Sequence, residues 1–451
     1  MTVLSKFFGD RLGCRVLTYS CYEAGHTWNP SCIGASTQIL IASFKESLRI
    51  YASLYVITTL LRSASVKKVK WKRLCLDILR STLFLTSNAF FFLYVLCLVR
   101  RGFGFWIVPN AGFTNGVIAS FISILIERKS RRGLLALYLT NLASEVAYRM
   151  SVNRRLIRPL RHGETLLFSV ALTGYMYLFK KGQLSSDVAG ALRFVFAIPK
   201  DSDAETKFFG YPLSSFPSTF QSVLNWFRKH FGKSETCPHS HSCVSTALEG
   251  FLRNFPFAYV VSVALRLATS MSALIKNPST IRAVFFSSSA LKMPLFVGLL
   301  PMLFSGSTCL LRRLLTNNEA LVHAVGGSVA GLAMLIYPST SIAMYLIWKL
   351  IEVVYFKFAN KGYLPRWKHF DILLYSLSTG FVLFAAVVEP HALRPAYWKF
   401  LMGLTDKKFT MVNRQLFDAF GFDSSRSFRN FRPVYDPRHT TVNPAFLLPR
   451  V

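Results

Sequence analysis

The chain has 451 residues, 52% of them hydrophobic and only 16% charged, with a mean hydropathy of +0.36. Soluble proteins carry about a quarter charged residues, so the composition argues against an ordinary soluble multidomain protein. Lys and Arg number 53 against 21 Asp and Glu, a net charge of +32. The excess flanks apolar runs, as in "RSASVKKVKWKR" (Arg62 to Arg73) and "RMSVNRRLIRPLRH" (Arg149 to His162). With no nucleic-acid-binding motif in view, anionic lipid head groups are the simpler partner.

In chain order, residues 1–44 form a cysteine-rich N-terminal region. Its start, "MTVLSKFFGDRLGCRVLTYS", lacks the unbroken apolar core and small-residue cleavage site of a secretory signal. Five apolar segments follow within residues 45–180, near Leu48–Leu61, Thr82–Val99, Phe105–Ile126, Leu134–Tyr148 and Leu166–Phe179. Residues 181–244 read as a polar linker outside the bilayer. Residues 245–388 hold five more apolar segments, near Phe255–Met271, Ala283–Leu311, Ala320–Tyr337, Ile342–Phe356 and Ile372–Val388. The tail, 389–451, is basic and aromatic and is expected on the membrane surface. Many of these segments approach the roughly 20 residues that cross a bilayer as a helix, and their charge is confined to the gaps. The expected fold is all-α and polytopic.

The two apolar regions resemble each other. "LRIYASLYVITTLLR" (Leu48–Arg62) overlays "LRNFPFAYVVSVALR" (Leu252–Arg266), and "CLVRR" (Cys97–Arg101) overlays "CLLRR" (Cys309–Arg313). "YLTNLASEVAY" (Tyr138–Tyr148) overlays "YLIWKLIEVVY" (Tyr345–Tyr355), placing Glu145 on Glu352. "IRPLRHGETLLFSVALTG" (Ile157–Gly174) overlays "LPRWKHFDILLYSLSTG" (Leu364–Gly380) with a one-residue slip. Recurrence in the same order is the signature of an internal repeat. The expectation is two tandem related helical bundles of four to five hydrophobic segments each, four being favoured. Five per copy would invert the second copy in the membrane.

Certain residues stand out within this frame. Gly112, Gly116 and Ser120, and Gly327 and Gly331, are small residues four apart, which let helix backbones approach closely. Packing within the chain is favoured over self-association. Glu145, Glu352, Lys349 and His323 lie inside apolar segments, where ionisable groups are candidates for function. The alternative is that Glu145 pairs with Arg149 and Lys349 with Glu352. "SILIERKSRRGLLALY" (Ser123–Tyr138) puts Arg128, Lys129, Arg131 and Arg132 in what reads as a tight basic loop outside the bilayer, because central Arg or Lys is costly in hydrocarbon.

Two groups of cysteine and histidine precede the first apolar segment of each half. They are Cys21, His26 and Cys32 in "CYEAGHTWNPSC", and Cys237, His239, His241 and Cys243 in "CPHSHSC". Thiolates and imidazoles at close spacing suit zinc, but neither spacing is a CxxC knuckle. Zinc, reduced thiols and a disulfide all remain compatible. No other cofactor is expected. Nucleophile elbow, Walker loop, HExxH and dinucleotide fingerprint are absent, so no enzymatic chemistry is expected.

"CYEAGHTWNPSC", "ESLRIYASLY", "ILIERKSRRGLLALYLTNLASE" and "LRPAYWKF" (Leu393–Phe400) resemble the transmembrane protein 135 family of peroxisomal membrane proteins. The likeness runs from about Cys21 to the tail and is weakest over Lys180–Thr236. The membrane region of that family is similar to the mitochondrial inner-membrane import translocase superfamily, whose helices pack through small-residue zippers. The resemblance implies a multi-pass protein of peroxisomal and mitochondrial membranes. It also implies links to mitochondrial fission and organisation and to lipid and cholesterol handling. It supplies no catalytic residue. Membrane lipids, a second copy of the chain and organelle-dynamics proteins are the expected partners, and nucleic acid is not. A secondary transporter or channel, with a polar path between the repeats, is the alternative.

Overall fold

The computed structural model describes residues 15–62, 70–198, 218–230, 232, 237, 239, 241–276, 281–314 and 318–440. The charged run at 63–69, "KDSDAETK" at 200–207 and the tail after Thr440 therefore lie outside the described residues. Among the described residues the chain is helical, and its one β-type pairing is an isolated bridge of Leu17 with Trp106. The chain is an all-α polytopic membrane protein. Among the described residues, three helices are long and apolar enough to cross a membrane, at Trp71–Phe103, Val284–Arg313 and Phe370–Val388, with shorter apolar helices at Phe113–Ile124 and Glu319–Leu335. The sequence gives four to five hydrophobic segments per half and favours four of them as spans. The difference is physical: the helix at Lys129–Asn153 carries a charged first turn and an internal Glu145, and the one at Thr340–Asn360 carries Lys349 and Glu352.

The chain divides into two compact units. Unit 1 comprises residues 1–158 and 366–451. It opens with a one-turn helix, α1 (Cys21–Ala24), fixed by a capping box in which Ser20 and Glu23 each satisfy the other's backbone N–H. Then come α2 (Cys32–Arg62) and α3 (Trp71–Phe103), which pack on one another. Gly104 ends α3 with a left-handed φ of 79° and an N–H bond to Arg100 O, the geometry glycine adopts without a Cβ penalty. Next are α4 (Phe113–Ile124), against α3, and α5 (Lys129–Asn153).

Unit 2 comprises residues 159–365. It contains α6 (Gly163–Lys180), α7 (Ser186–Val195), α8 (Ser218–His230), α9 (Cys243–Lys276), α10 (Ile281–Phe286), α11 (Ser288–Leu314), α12 (Glu319–Ala330) and α13 (Thr340–Asn360). Both α9 and α11 contain proline, at Pro256 and at Pro294 and Pro301, which membrane helices tolerate where neighbours satisfy the freed backbone. Helix α14 (Phe370–Val388) and α15 (Pro395–Leu404) return to unit 1.

The two units repeat one order of contacts, and in each the closing helix comes from the other half of the sequence. In unit 1, α2 packs on α3, α3 on α4, and α14 covers α4 and α5. In unit 2, α9 packs on α11, α11 on α12, and α6 covers α12 and α13. The boundaries drawn at 180 and 245–388 therefore do not coincide with the compact units, because α6 and α14 each close the unit of the opposite half.

The small-residue positions lie at these closures. A Cβ on Gly116 would sit 2.8 Å from Gly380 Cα, and one on Gly112 would sit 2.9 Å from Phe384 Cα. In unit 2 a Cβ on Gly327 would lie 2.8 Å from Leu172 O, and one on Gly331 would lie 2.5 Å from Ser169 Cα. Backbone thus meets backbone along α4–α14 and α12–α6, the contact that favours helix association where lipid removes the hydrophobic drive. Large apolar side chains such as Leu76, Phe121, Val260 and Leu310 remain on outward faces, as suits a lipid-facing surface.

The tail differs from expectation. It folds into unit 1: Phe409, Val412, Leu416, Phe417 and Phe420 are buried in its core. Asn413 N donates to Ala24 O at 3.0 Å. Tyr435 OH donates to Glu23 O at 2.6 Å, and Thr27 Oγ1 to Met411 O at 2.6 Å. Its aromatic residues serve as core, and N- and C-terminal segments hold each other.

Candidate functional site

Unit 1 holds a partly open cavity of about 580 Å³ lined from α2, α3, α5, α14 and the tail. That volume lies within the range of ligand pockets, about 300–1,000 Å³. The wall is largely apolar, from Ile39, Leu54, Phe84, Phe92, Leu139, Leu383 and Phe400, with Asn88, Arg131, Tyr375, Thr379 and Arg394 as polar points. Asn88 Nδ2 donates to Ser120 Oγ at 3.1 Å and reaches Tyr375 OH at 3.5 Å, so Ser120 holds the cavity's amide rather than standing alone on the small-residue face.

The basic stretch supplies one end of this cavity. The turn is short: α5 begins at Lys129, and Glu127 and Arg132 are buried. Arg132 Nε and Nη2 donate to Glu127 O and Leu125 O at 3.1 and 2.9 Å, capping the end of the preceding helix. Arg128 pairs with Asp77. Arg131, which lines the cavity, donates to Ser81 Oγ at 2.6 Å and to Glu127 Oε2 at 3.2 Å, and its guanidinium lies over the Tyr51 and Tyr55 rings at 5.8 and 5.5 Å. Glu127 and Arg132 are buried, Arg128 and Arg131 are half-buried and Lys129 is exposed, so the run of charges is a short turn tied into a part-buried polar knot.

The charged candidates are placed as follows. Glu145, 3% exposed, accepts from Arg149 Nη2 at 2.6 Å and from Arg394 of the tail. Glu352 pairs with Lys349 one turn before it. His323 Nδ1 bonds Glu319 O at 2.9 Å. Glu319, at the start of α12, takes Arg312 Nε at 2.9 Å and Lys180 Nζ at 3.1 Å. These cations, Arg312 first, hold its carboxyl down near pKa 2.

The cysteine groups are completed by residues from distant helices. Cys21, His26, Cys32 and Cys97 offer ligand atoms all within 4.8 Å of one another, and so do Cys237, His239, Cys243 and Cys309. His241 is not in the second set; its carbonyl accepts from His239 Nδ1 at 2.6 Å instead. In the first set His26 Nδ1 lies 2.7 Å from Asn29 O. A carbonyl only accepts, so Nδ1 carries the proton in both histidines and Nε2 is left to face the thiols. His239 Nε2 is 3.2 Å from Cys309 Sγ, and buried His26 Nε2 has no hydrogen-bond partner. Cys21 is drawn down to about 5, chiefly by the Cys97 thiol's hydrogen bond and against its own burial. Burial pushes His26 down, but the Cys21 and Cys32 thiols outweigh it and raise the ring to about 9. Cys97 and Cys309 were not singled out from spacing. The signal was their shared place in "CLVRR" and "CLLRR".

Residues 18–152 match the family described as the N-terminal cysteine-rich region of Transmembrane protein 135. No solved structure matches the chain.

Proposed function

We propose, from the match of residues 18–152 to the cysteine-rich region of Transmembrane protein 135, that the chain is a multi-pass protein of peroxisomal and mitochondrial membranes that binds and hands on a lipid, cholesterol included. Through that lipid it acts on mitochondrial fission and organisation. The observation that carries this reading is the unit 1 cavity: about 580 Å³, apolar along its length, with Arg131 and its tyrosines at one edge. A molecule with one polar head and a rigid or folded hydrocarbon body matches such a wall. Membrane lipids, with anionic head groups at the basic flanks, are the proposed partners, alongside a second copy or organelle-dynamics proteins. The proposal assigns no enzymatic step and no nucleic acid.

The test is photolabelling of the full chain in nanodiscs with a photoactivatable sterol and, separately, a photoactivatable fatty acid. Labelled peptides should come from α3, α5 and α14, and Ala89→Phe, which narrows the cavity, should reduce labelling while elution stays monodisperse. Labelling spread evenly over outward faces, unchanged in Ala89→Phe, would refute the reading. The transporter alternative rests on Glu145 and Glu352. It requires that Glu→Gln at these positions abolish solute flux in proteoliposomes, whereas lipid handling leaves labelling intact in the Glu352→Gln variant.

A further inference from the structure

We propose that each unit binds one structural zinc ion, at Cys21, His26, Cys32 and Cys97 in unit 1 and at Cys237, His239, Cys243 and Cys309 in unit 2.

Three independent observations meet here. The first is selectivity of placement. Six of the seven described cysteines fall into the two sets, Cys75 alone standing outside. Scattered core thiols would not gather so.

The second is recurrence. Each set takes two ligands from the segment ahead of a long helix, a third from that helix's first residue (Cys32 of α2, Cys243 of α9), and the fourth from near the end of the following long helix (Cys97 of α3, Cys309 of α11).

The third is the state of the histidines. A metal-binding imidazole characteristically gives its other N–H to a carbonyl or carboxylate, which fixes the tautomer and aims the ligating nitrogen. Both histidines do this, to Asn29 O at 2.7 Å and to His241 O at 2.6 Å. In unit 1 this leaves Nε2 buried with no partner in the protein, a state that is unfavourable unless a ligand takes it up.

The chemistry selects the ion. Three thiolates and one imidazole form a closed tetrahedral set typical of structural zinc, with Zn–S near 2.3 Å and Zn–N near 2.0–2.1 Å. Such distances put neighbouring ligand atoms roughly 3.5–3.8 Å apart, and Cys237 Sγ lies 3.8 Å from Cys243 Sγ. With three Cys the bound site carries one net negative charge. An arginine stands by each: Arg100, held by Tyr19 O and Thr18 O at 2.8 and 2.7 Å beside Cys21, and Arg313, whose Nη2 is 4.0 Å from Cys243 Sγ. Four protein ligands leave no open position, so the role is to clip the segment before each helix to the end of the apolar helix that follows. In binding, the three thiols release their protons to solvent and the metal takes their place.

The experiment uses the full chain purified in mild detergent with a non-histidine tag. Elemental analysis should give two zinc ions per chain, falling to one in either Cys97→Ser or Cys309→Ser. On the wild type, six cysteines should resist maleimide until a strong zinc chelator is added, without any reductant. Replacement by Co²⁺ should give thiolate charge-transfer and tetrahedral ligand-field absorption. Metal at trace level, or iron or copper in place of zinc, overturns the proposal. So do more than two thiols reacting before chelation, and thiols of the two sets that appear only after reductant, which would mean disulfides. Because the wild-type readings decide, a single variant that fails to fold does not rescue the idea. Nor does the zinc count depend on whether the cavity holds a lipid.

Discussion

Gly116→Ala is the sharpest probe of how the units close. A Cβ there would lie 2.8 Å from Gly380 Cα and 3.2 Å from Gly380 O. Carbon atoms prefer about 3.5–4.0 Å, so α4 and α14 would have to part by roughly 0.7–1.2 Å. A gap of that order forfeits a quarter to a half of each dispersion contact along the seam, and forcing extra volume into a packed site costs about 1–3 kcal/mol. Alanine also gains helix propensity over glycine, up to about 1 kcal/mol. Gly133→Ala removes that confounder: Gly133 is exposed in α5 and a Cβ there would meet nothing within 4 Å. The shared propensity gain cancels in the comparison, leaving Gly116→Ala less stable than Gly133→Ala by about 1–3 kcal/mol. At about 2–4 °C per kcal/mol for a unit of this size, the gap in midpoint is roughly 2–12 °C. Tryptophan fluorescence melts of both variants in one detergent at one scan rate measure it. If Gly116→Ala melts at or above Gly133→Ala, the backbone-to-backbone closure is wrong.

The other expectations concern charge. Glu145→Gln strips the buried partner from Arg149 and Arg394 and should cost about 3 kcal/mol, since breaking a buried pair leaves uncompensated charge; Glu352→Gln, in a pair about one-third exposed on each side, should stay within about 1 kcal/mol by the same melts. Arg414 is 1% exposed, with Phe428, Phe409 and Trp398 rings at 4.5, 5.3 and 5.4 Å and Ala386 O and Phe409 O as acceptors at 3.2 and 3.0 Å. Arg414→Lys loses the planar stack and should loosen the tail by about 2 kcal/mol, seen as faster limited proteolysis after residue 395. The Glu319 carboxyl is lowered from 4.5 to about 2. Its contribution is therefore present above pH 4.5 and fades as pH falls toward 2. With a side chain about half exposed the effect should be under about 1 kcal/mol, and Arg312→Gln should flatten it in an acid titration of stability.

Much of this architecture was legible because membrane helices announce themselves by composition. The three helices long and apolar enough to span fall on apolar segments read from the sequence, while "CLVRR" and "CLLRR", legible only as a mark of the repeat, contain the cysteines that complete both groups. What stayed hidden was any contact made across distance. Cys97 meets Cys21 over 76 residues, Arg394 meets Glu145 over 249, and Tyr435 meets Glu23 over 412. No period or local spacing encodes such partners. The tail was misplaced for the same reason: Arg-rich aromatic sequence suits a membrane surface, and only the pairing with residues 22–27 turns it into core. The run at Glu127–Arg132 reads as a basic loop outside the bilayer, and its sequence does not disclose that part of it is tied down by other helices. A polar knot of Glu127, Arg131, Ser81 and Tyr55 makes that tie.

The exchange of closing helices connects these features. A half that kept its own last helix would have its small-residue stripe satisfied locally, and the two halves could diverge freely. Instead α14, from the second half, carries Gly380 against Gly116 and Tyr375 against Asn88 in unit 1, while α6, from the first half, carries Leu172 and Ser169 against Gly327 and Gly331 in unit 2. Each closing helix must therefore fit a groove built by the other copy. That requirement also bears on the cavity, since Tyr375, Thr379 and Leu383 of its wall arrive only with the second half. Residues 15–158 expressed alone lack that wall and expose the glycine face of α4. Such a fragment should be monodisperse only when the second half is supplied with it, and a first half that folds and takes up lipid unaided would show that α14 is not the partner its glycine was shaped for.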